Sequence, residues 1–177
     1  MAEDTAERLY RDAIVVDGLN VSNWDSDAVF RSLANGGVTA INATIATWEN
    51  FRETLDAVAG WTKRFSQRDE IVQVRSVEDV EAAKRDGRVG VILGFQNATP
   101  IENDLGRLEI FHRLGVKIIQ VTFHERNLLG DGCYERAGGG LSNFGVDAVK
   151  EMNRLGILVD LSHVGVRTTL DAIEMSE

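Results

Sequence analysis

The residues of this chain with the most chemistry to offer stand directly after short apolar runs. His124 follows VKIIQVTF (116–123) and His163 follows GILVDLS (156–162). Gln96 and Asn97 follow VGVILGF (89–95), Asp17 lies in AIVVDG (13–18), and Asn20 comes just beyond it. If those runs are parallel strands, these side chains collect at the strands' C-terminal ends, where parallel α/β proteins place their sites. An imidazole there can bind zinc or a similar metal, and a carboxylate such as Asp160 can orient it. His163 is the prime ligand candidate on this argument. His124 has the same placement and suits polarising a substrate carbonyl or donating to an oxyanion. A hydrogen-bonded structural role is the other reading open to each. His112, inside LEIFHRLG on a helical pattern, is expected to be structural or on the surface. Cys133 has no base beside it in sequence and is not expected to act as a nucleophile.

The elements that must position these residues are legible as an alternation. The runs already named, with VTAINATI (38–45), give about five main strands, and IVQVRS (71–76) reads as a minor one. They are apolar at nearly every position, as expected of parallel strands covered on both faces. Helical patterns occupy about 25–35, 49–68, 77–86, 102–114 and 143–155, with a last one starting near Val166. Three of them close on a basic last turn followed by glycine, at Gly87, Gly115 and Gly156. Ser76 before Glu78 and Asp79 reads as an N-cap. Short glycine-capped joints between strands and helices signal βα units. A complete (β/α)₈ barrel needs eight strands and roughly 250 residues. The expectation is therefore either a small doubly wound sheet or the N-terminal portion of a TIM-type barrel. The helical pattern running to Glu177 favours the second, as a single truncated domain over 1–177.

Composition narrows the partners. A net charge of −9 over 177 residues argues against nucleic acid, which is held by clustered Lys and Arg. The acidic start MAEDTAERLYRDA lacks the features of a secretory signal, and no apolar run approaches the roughly 20 residues of a membrane span. One cysteine cannot form an internal disulfide, which fits a cytoplasmic location. The loop 127–145 is rich in glycine but lacks a P-loop's spacing and its Gly-Lys-Ser/Thr, so it is expected to shape a substrate pocket. Trp24, Trp48 and Trp61 read as packing residues.

The stretch GDGCYE…GGGLSNFGVDAVKEMNRLGILVDLSHVG closely resembles the membrane (renal) dipeptidase family, peptidase family M19. That family has a glycine-rich loop, a GLT-x-FG turn, an EMN-x-LG helix end and an iDLSH strand end. TFHERN resembles its LTH-x-x-N strand end, and IVVDGLN its opening vvDGHND. The resemblance implies a (β/α)₈ barrel with a two-metal site, usually zinc, that hydrolyses dipeptides and related small amides. Position by position, it implies a metal ligand at His163, a substrate contact at His124, and Asn127 in the same substrate-binding strand end. Gln96 stands where the family has a metal-bridging glutamate, and the first-strand His-x-Asp pair falls on Leu19 and Val21.

These departures have physical weight. Residues at i and i+2 on a strand face one side, which lets His-x-Asp grip a single metal. Leu19 and Val21 have no donor atoms, Gln96 offers at most one neutral oxygen, and Asn20 is expected on the opposite face from Leu19. The expectation is a metallodipeptidase-like hydrolase with at most one zinc or similar divalent ion per chain, held at His163 with Gln96 as a weak contributor. The alternative is a catalytically inactive relative serving as a small-molecule binding module. A dipeptide-like molecule is the expected partner, and the sequence leaves homo-oligomerisation open.

Overall fold

In a computed structural model, which describes residues 5–176, the apolar runs form strands and the periodic segments between them form helices. The order is α1 (Thr5–Asp12), β1 (Val16–Asn20), α2 (Asp27–Asn35), β2 (Ala40–Ala46), α3 (Phe51–Gln67), β3 (Ile71–Gln73) and α4 (Val77–Asp86). There follow β4 (Val89–Phe95), a 3₁₀ turn (Thr99–Ile101), α5 (Gly106–Leu114), β5 (Val116–Gln120), α6 (Asn143–Leu155), β6 (Leu158–Asp160) and α7 (Val166–Met175). The pairs β1–β2, β3–β4, β4–β5 and β5–β6 are all parallel. Five strands form the main path of the sheet and β3 sits off it. This is the succession of βα units that opens a (β/α)₈ fold.

The chain divides into two compact units. One takes the chain up to Ala43 together with Thr62–Ile92. Within it β1 pairs with β2, and the first half of β4 lies between two neighbours. The Val89 N–H donates to Glu70 on the β3 side, while Gly90 donates to Thr39 at the start of β2. Its buried core includes Phe30, Ile41, Ile71 and Val91. The capping box expected at α4 is present: Ser76 Oγ accepts from the Asp79 N–H, and Asp79 accepts from the Ser76 N–H.

The second unit takes Thr44–Trp61 and the chain from Leu93 onward. In it Gln96 N–H donates to Ala46 at the end of β2, and the second half of β4 pairs with β5, which pairs with β6. Phe95 and Phe111 meet edge to face at 4.9 Å, and Phe51 meets Phe111 at 5.3 Å. Phe95, Phe111, Leu108, Ile119 and Met152 are fully buried, each contributing roughly 1.5–3 kcal/mol of hydrophobic stabilisation. Gly115 and Gly156 close α5 and α6 in the left-handed region, so β5 starts one residue and β6 two residues after its helix is capped.

Four details differ from the sequence expectations. Helix α1 buries no residue, so no apolar stripe announces it. Helix α5 begins at Gly106 instead of 102, because the 3₁₀ turn through Pro100 precedes it and Glu102 takes φ 49, outside any right-handed helix. Helix α7 ends at Met175, with Ser176 extended, where an uninterrupted helical pattern was expected. Finally, the β1–β2 register shifts between Asp17 and Asn20, so counting alternate residues across it fails. Asn20 donates through Nδ2 to Asp17 Oδ2 at 2.8 Å, which places its side chain with Asp17 rather than on the opposite face.

Candidate functional site

The two histidines singled out at strand ends lie together in the second unit. His124 comes four residues after the end of β5 and His163 three after β6, and the register Gln120↔Asp160 brings the two exits side by side. His124 Nε2 lies 2.9 Å from His163 Nδ1, with the rings nearly perpendicular. At that distance one ring supplies an N–H and the other a lone pair. His124 is sandwiched between Phe123, 4.0 Å away centroid to centroid, and Tyr134 at 4.4 Å, which fixes the plane of its ring.

Both histidines occupy positive-φ backbone, 62° at His124 and 60° at His163. His124 is the centre of a three-residue turn closed by Glu125 N–H on Phe123 C=O at 2.7 Å. His163 is the third residue of a turn closed by Val164 N–H on Leu161 C=O. Such positions suit glycine, and holding a residue with a Cβ there costs roughly 1–2 kcal/mol each. The turns aim the rings at each other, so this strain sits where it orients the site.

The segment after the glycine-rich turn clamps both residues. Cys133 N–H donates to the His163 carbonyl at 3.1 Å, and Tyr134 N–H donates to the His124 carbonyl at 2.9 Å. Gly132 makes this approach possible, since a Cβ on it would sit 2.1 Å from the His124 carbonyl oxygen. The clamp brings Cys133 into the site: its Sγ and the nearest nitrogens of the two histidines all lie within 4.8 Å of one another. No spacing rule could find this, because the fold of the long β5–α6 loop brings Cys133 back to His124 in the same loop and to His163 in the loop after β6.

Asp131 anchors the clamp. It is 3% exposed, takes Arg126 Nε at 2.5 Å and the Gly139 N–H at 2.5 Å, and is held below the ordinary aspartate range by these two donors. Its own backbone is locked by Thr168, whose hydroxyl accepts from Asp131 N–H and donates to Asp131 C=O. Gly165 N–H donates to the same carbonyl. Asp131 is thus a positioning residue that the sequence reading passed over.

The other candidates are placed as follows. Gln96 is nearly buried, and its Oε1 is met by the Thr47 hydroxyl at 3.5 Å. Asn127 is committed to its own turn: Nδ2 donates to Asn97 and to the Val121 carbonyl, while Oδ1 accepts from Leu129 and Gly130. It also lines a cavity of about 590 Å³ with Trp48, Thr99, Glu102, Arg126 and Leu128. Trp48, expected to be packing, is 54% exposed at this cavity and meets Phe123 edge-on at 5.7 Å. Asp160 does not orient His163; it accepts from Ser162 N–H and shapes the turn. His112 pairs with Lys117 at 2.9 Å, a structural contact on α5. In the first unit, Val21 is 66% exposed and Asp17 already accepts from Leu19 N–H and from Asn20.

A run of parallel βα units with two histidines at adjacent strand exits defines the class as a partial (β/α)-barrel scaffold with its polar residues gathered at the strand exits. Residues 3–177 match the family described as membrane dipeptidase (peptidase family M19), and the chain belongs to that family. It is 34% identical over 137 residues to the dipeptidase verJ of Clonostachys rogersoniana, a match covering 75% of this chain and 35% of that protein. Among solved structures it is similar to an amidohydrolase from Pseudomonas aeruginosa, at 42% identity and TM-score 0.93, over 97% of this chain and 52% of that one. It also shares the fold of the metallo peptidase dipeptidase AC, at 22% identity and TM-score 0.76, over 92% of this chain and 60% of that one. The chain thus spans about a third of the first relative and about half of the amidohydrolase. Among the described residues no helix is long and apolar enough to cross a membrane.

Proposed function

We propose that this chain supplies the histidine centre of a dipeptidase-like hydrolase acting on dipeptides or related small amides. The observation that carries this reading is the facing pair of His124 and His163 at adjacent strand exits, 2.9 Å apart and held there by strained turns. Residues 1–177 act as one domain in this reading, because β2 and β4 each run through both compact units.

The residues present do not fit a pair of metal ions. Leu19 and Val21 have no donor atoms, the Asp17 carboxylate is already engaged, and Gln96 brings a neutral oxygen where two dications need a bridging negative charge. In this reading a single zinc-like ion takes an imidazole nitrogen of His163, with Gln96 as a weak oxygen donor. When bound, such an ion supplies a Lewis acid and an activated water. His163 holds and orients; His124, its ring fixed by Phe123 and Tyr134, presents a nitrogen toward a substrate carbonyl. The cavity lined by Trp48, Arg126 and Asn127, which reaches His124 only through the Trp48–Phe123 ring contact, takes a small peptide in this reading. A free, exposed Cys133 suits a reducing compartment such as the cytoplasm.

The test is hydrolysis of a dipeptide panel by the full-length protein, with and without added zinc. Metal-dependent turnover that His163→Asn abolishes and His112→Ala spares supports the reading. Tight binding of dipeptides without turnover would replace it with the binding-module alternative, which the absence of donors at Leu19 and Val21 favours.

A further inference from the structure

We infer that His124, Cys133 and His163 form a three-ligand site for one soft or borderline divalent cation, with two nitrogens and a thiolate, in place of a carboxylate-bridged pair. This goes beyond the reading above, which uses His163 as a ligand but gives Cys133 no part and assigns His124 to the substrate.

The geometry is close to what such an ion demands. Zinc or cobalt bonds imidazole nitrogen at about 2.0–2.1 Å and thiolate sulfur at about 2.3 Å, so tetrahedral coordination spaces two nitrogens by roughly 3.3 Å and nitrogen from sulfur by roughly 3.6 Å. His124 Nε2 and His163 Nδ1 stand at 2.9 Å and need part by only a few tenths of an ångström. Cys133 Sγ lies within 4.8 Å of a ring nitrogen of each, so it has about 1 Å or less to close. The Cα atoms are already fixed, by Cys133 N–H on His163 C=O, Tyr134 N–H on His124 C=O and the antiparallel bridge between Gly132 and Val164.

The same facing nitrogens also suit a cation chemically. In their present contact they share one hydrogen, so one lone pair is used to accept it. A dication between them uses both lone pairs and takes that hydrogen's place, the donor ring moving its N–H to its other nitrogen. The thiol S–H breaks as the sulfur–metal bond forms, and that proton passes to solvent. Cys133 and His163 are exposed and His124 is half-buried, so an entry path exists and a fourth position stays open to water or a substrate oxygen. The donor set, two imidazoles and a thiolate, selects zinc or cobalt over magnesium or calcium, which take oxygen ligands.

Titration of the metal-free, reduced full-length protein with cobalt(II), followed by absorption, tests this. One equivalent should bind, with an intense visible spectrum of tetrahedral type and a near-ultraviolet thiolate-to-cobalt band. Cys133→Ser should lose that band and weaken binding about 10- to 100-fold, and His124→Asn should weaken binding while keeping the band. Cobalt bound without the thiolate band, or bound equally by Cys133→Ser, overturns this site but leaves metal-dependent hydrolysis at His163 standing. Absence of any cobalt binding by the folded protein overturns both. Circular dichroism of each variant separates lost binding from lost folding.

Discussion

His124 Nε2 and His163 Nδ1 are 2.9 Å apart although their residues are 39 positions apart in sequence and leave different strands. A partly exposed contact of this kind contributes about 0.5–1.5 kcal/mol. It also links the two loops after β5 and β6. The first prediction concerns that link in the metal-free protein. In a double-mutant cycle of His124→Asn, His163→Asn and the pair, urea unfolding should show a coupling of about 1 kcal/mol. Additive effects would mean that the rings merely sit near each other.

The second prediction uses backbone alone. At an ordinary position, replacing alanine by glycine loses stability through the unfolded chain's greater freedom. His163 has φ 60, where glycine is unstrained and alanine is not. His163→Gly should therefore unfold at higher urea than His163→Ala, by about 1 kcal/mol. Both should lack the function of the wild-type ring. Equal midpoints, or alanine the more stable, would show that the turn relaxes once the imidazole is gone.

Much of the scaffold could be read from local sequence because local physics fixes it. The glycines that end α4, α5 and α6, and the Ser76 cap, act within one turn of the chain, so type and position sufficed. The all-apolar strands signalled a parallel sheet for the same reason. The strand-end rule located His124 and His163, because successive parallel strands must present their C-terminal ends together. Cys133 escaped, since only the fold of the 127–145 loop brings it to them. Asp131 escaped too: its partners Arg126, Gly139 and Thr168 are joined by tertiary folding and follow no sequence period. Asn20 was misplaced because the register shift in β1 breaks the two-residue alternation on which the inference rested.

Gly132 has a different reason for being glycine than the helix-ending residues. Its φ lies outside the left-handed region, and the constraint is space: a Cβ would meet the carbonyl oxygens of His124 at 2.1 Å and Glu125 at 2.6 Å. Those atoms are backbone and cannot rotate away. Gly132→Ala should therefore push the clamp off His124, losing the Tyr134 N–H bond with it. The expected cost is about 2–3 kcal/mol, with site function lost even at temperatures where the protein stays folded. Gly138→Ala is the control for loop composition. A Cβ there meets nothing, and its only penalty is the strain of φ 60, about 1 kcal/mol. Comparable losses in both variants, by thermal unfolding and by metal binding, would contradict the clamp.

The last prediction concerns acid. Glu102 accepts a hydrogen bond from the Phe51 N–H at the start of α3 at 3.2 Å and forms an ion pair with Arg107. It does so from a backbone with φ 49, so the side chain's two contacts offset local strain. Arg107 first, and the Phe51 N–H second, hold its carboxyl below the ordinary glutamate value of 4.5. A carboxyl with a lowered value in the folded state binds protons more readily when unfolded. Its stabilisation is fully present above about 4.5 and is lost as pH falls through the folded value. Urea midpoints of the wild-type protein should accordingly decline as pH drops below about 4.5, and Glu102→Gln should show a shallower decline over that window. The two proteins should differ most near neutral pH and converge at the acid end, and added salt should narrow the gap at neutral pH by screening Arg107. Parallel pH profiles for the two proteins would show that Glu102 titrates alike folded and unfolded, and that its link between α3 and Arg107 adds nothing to the fold.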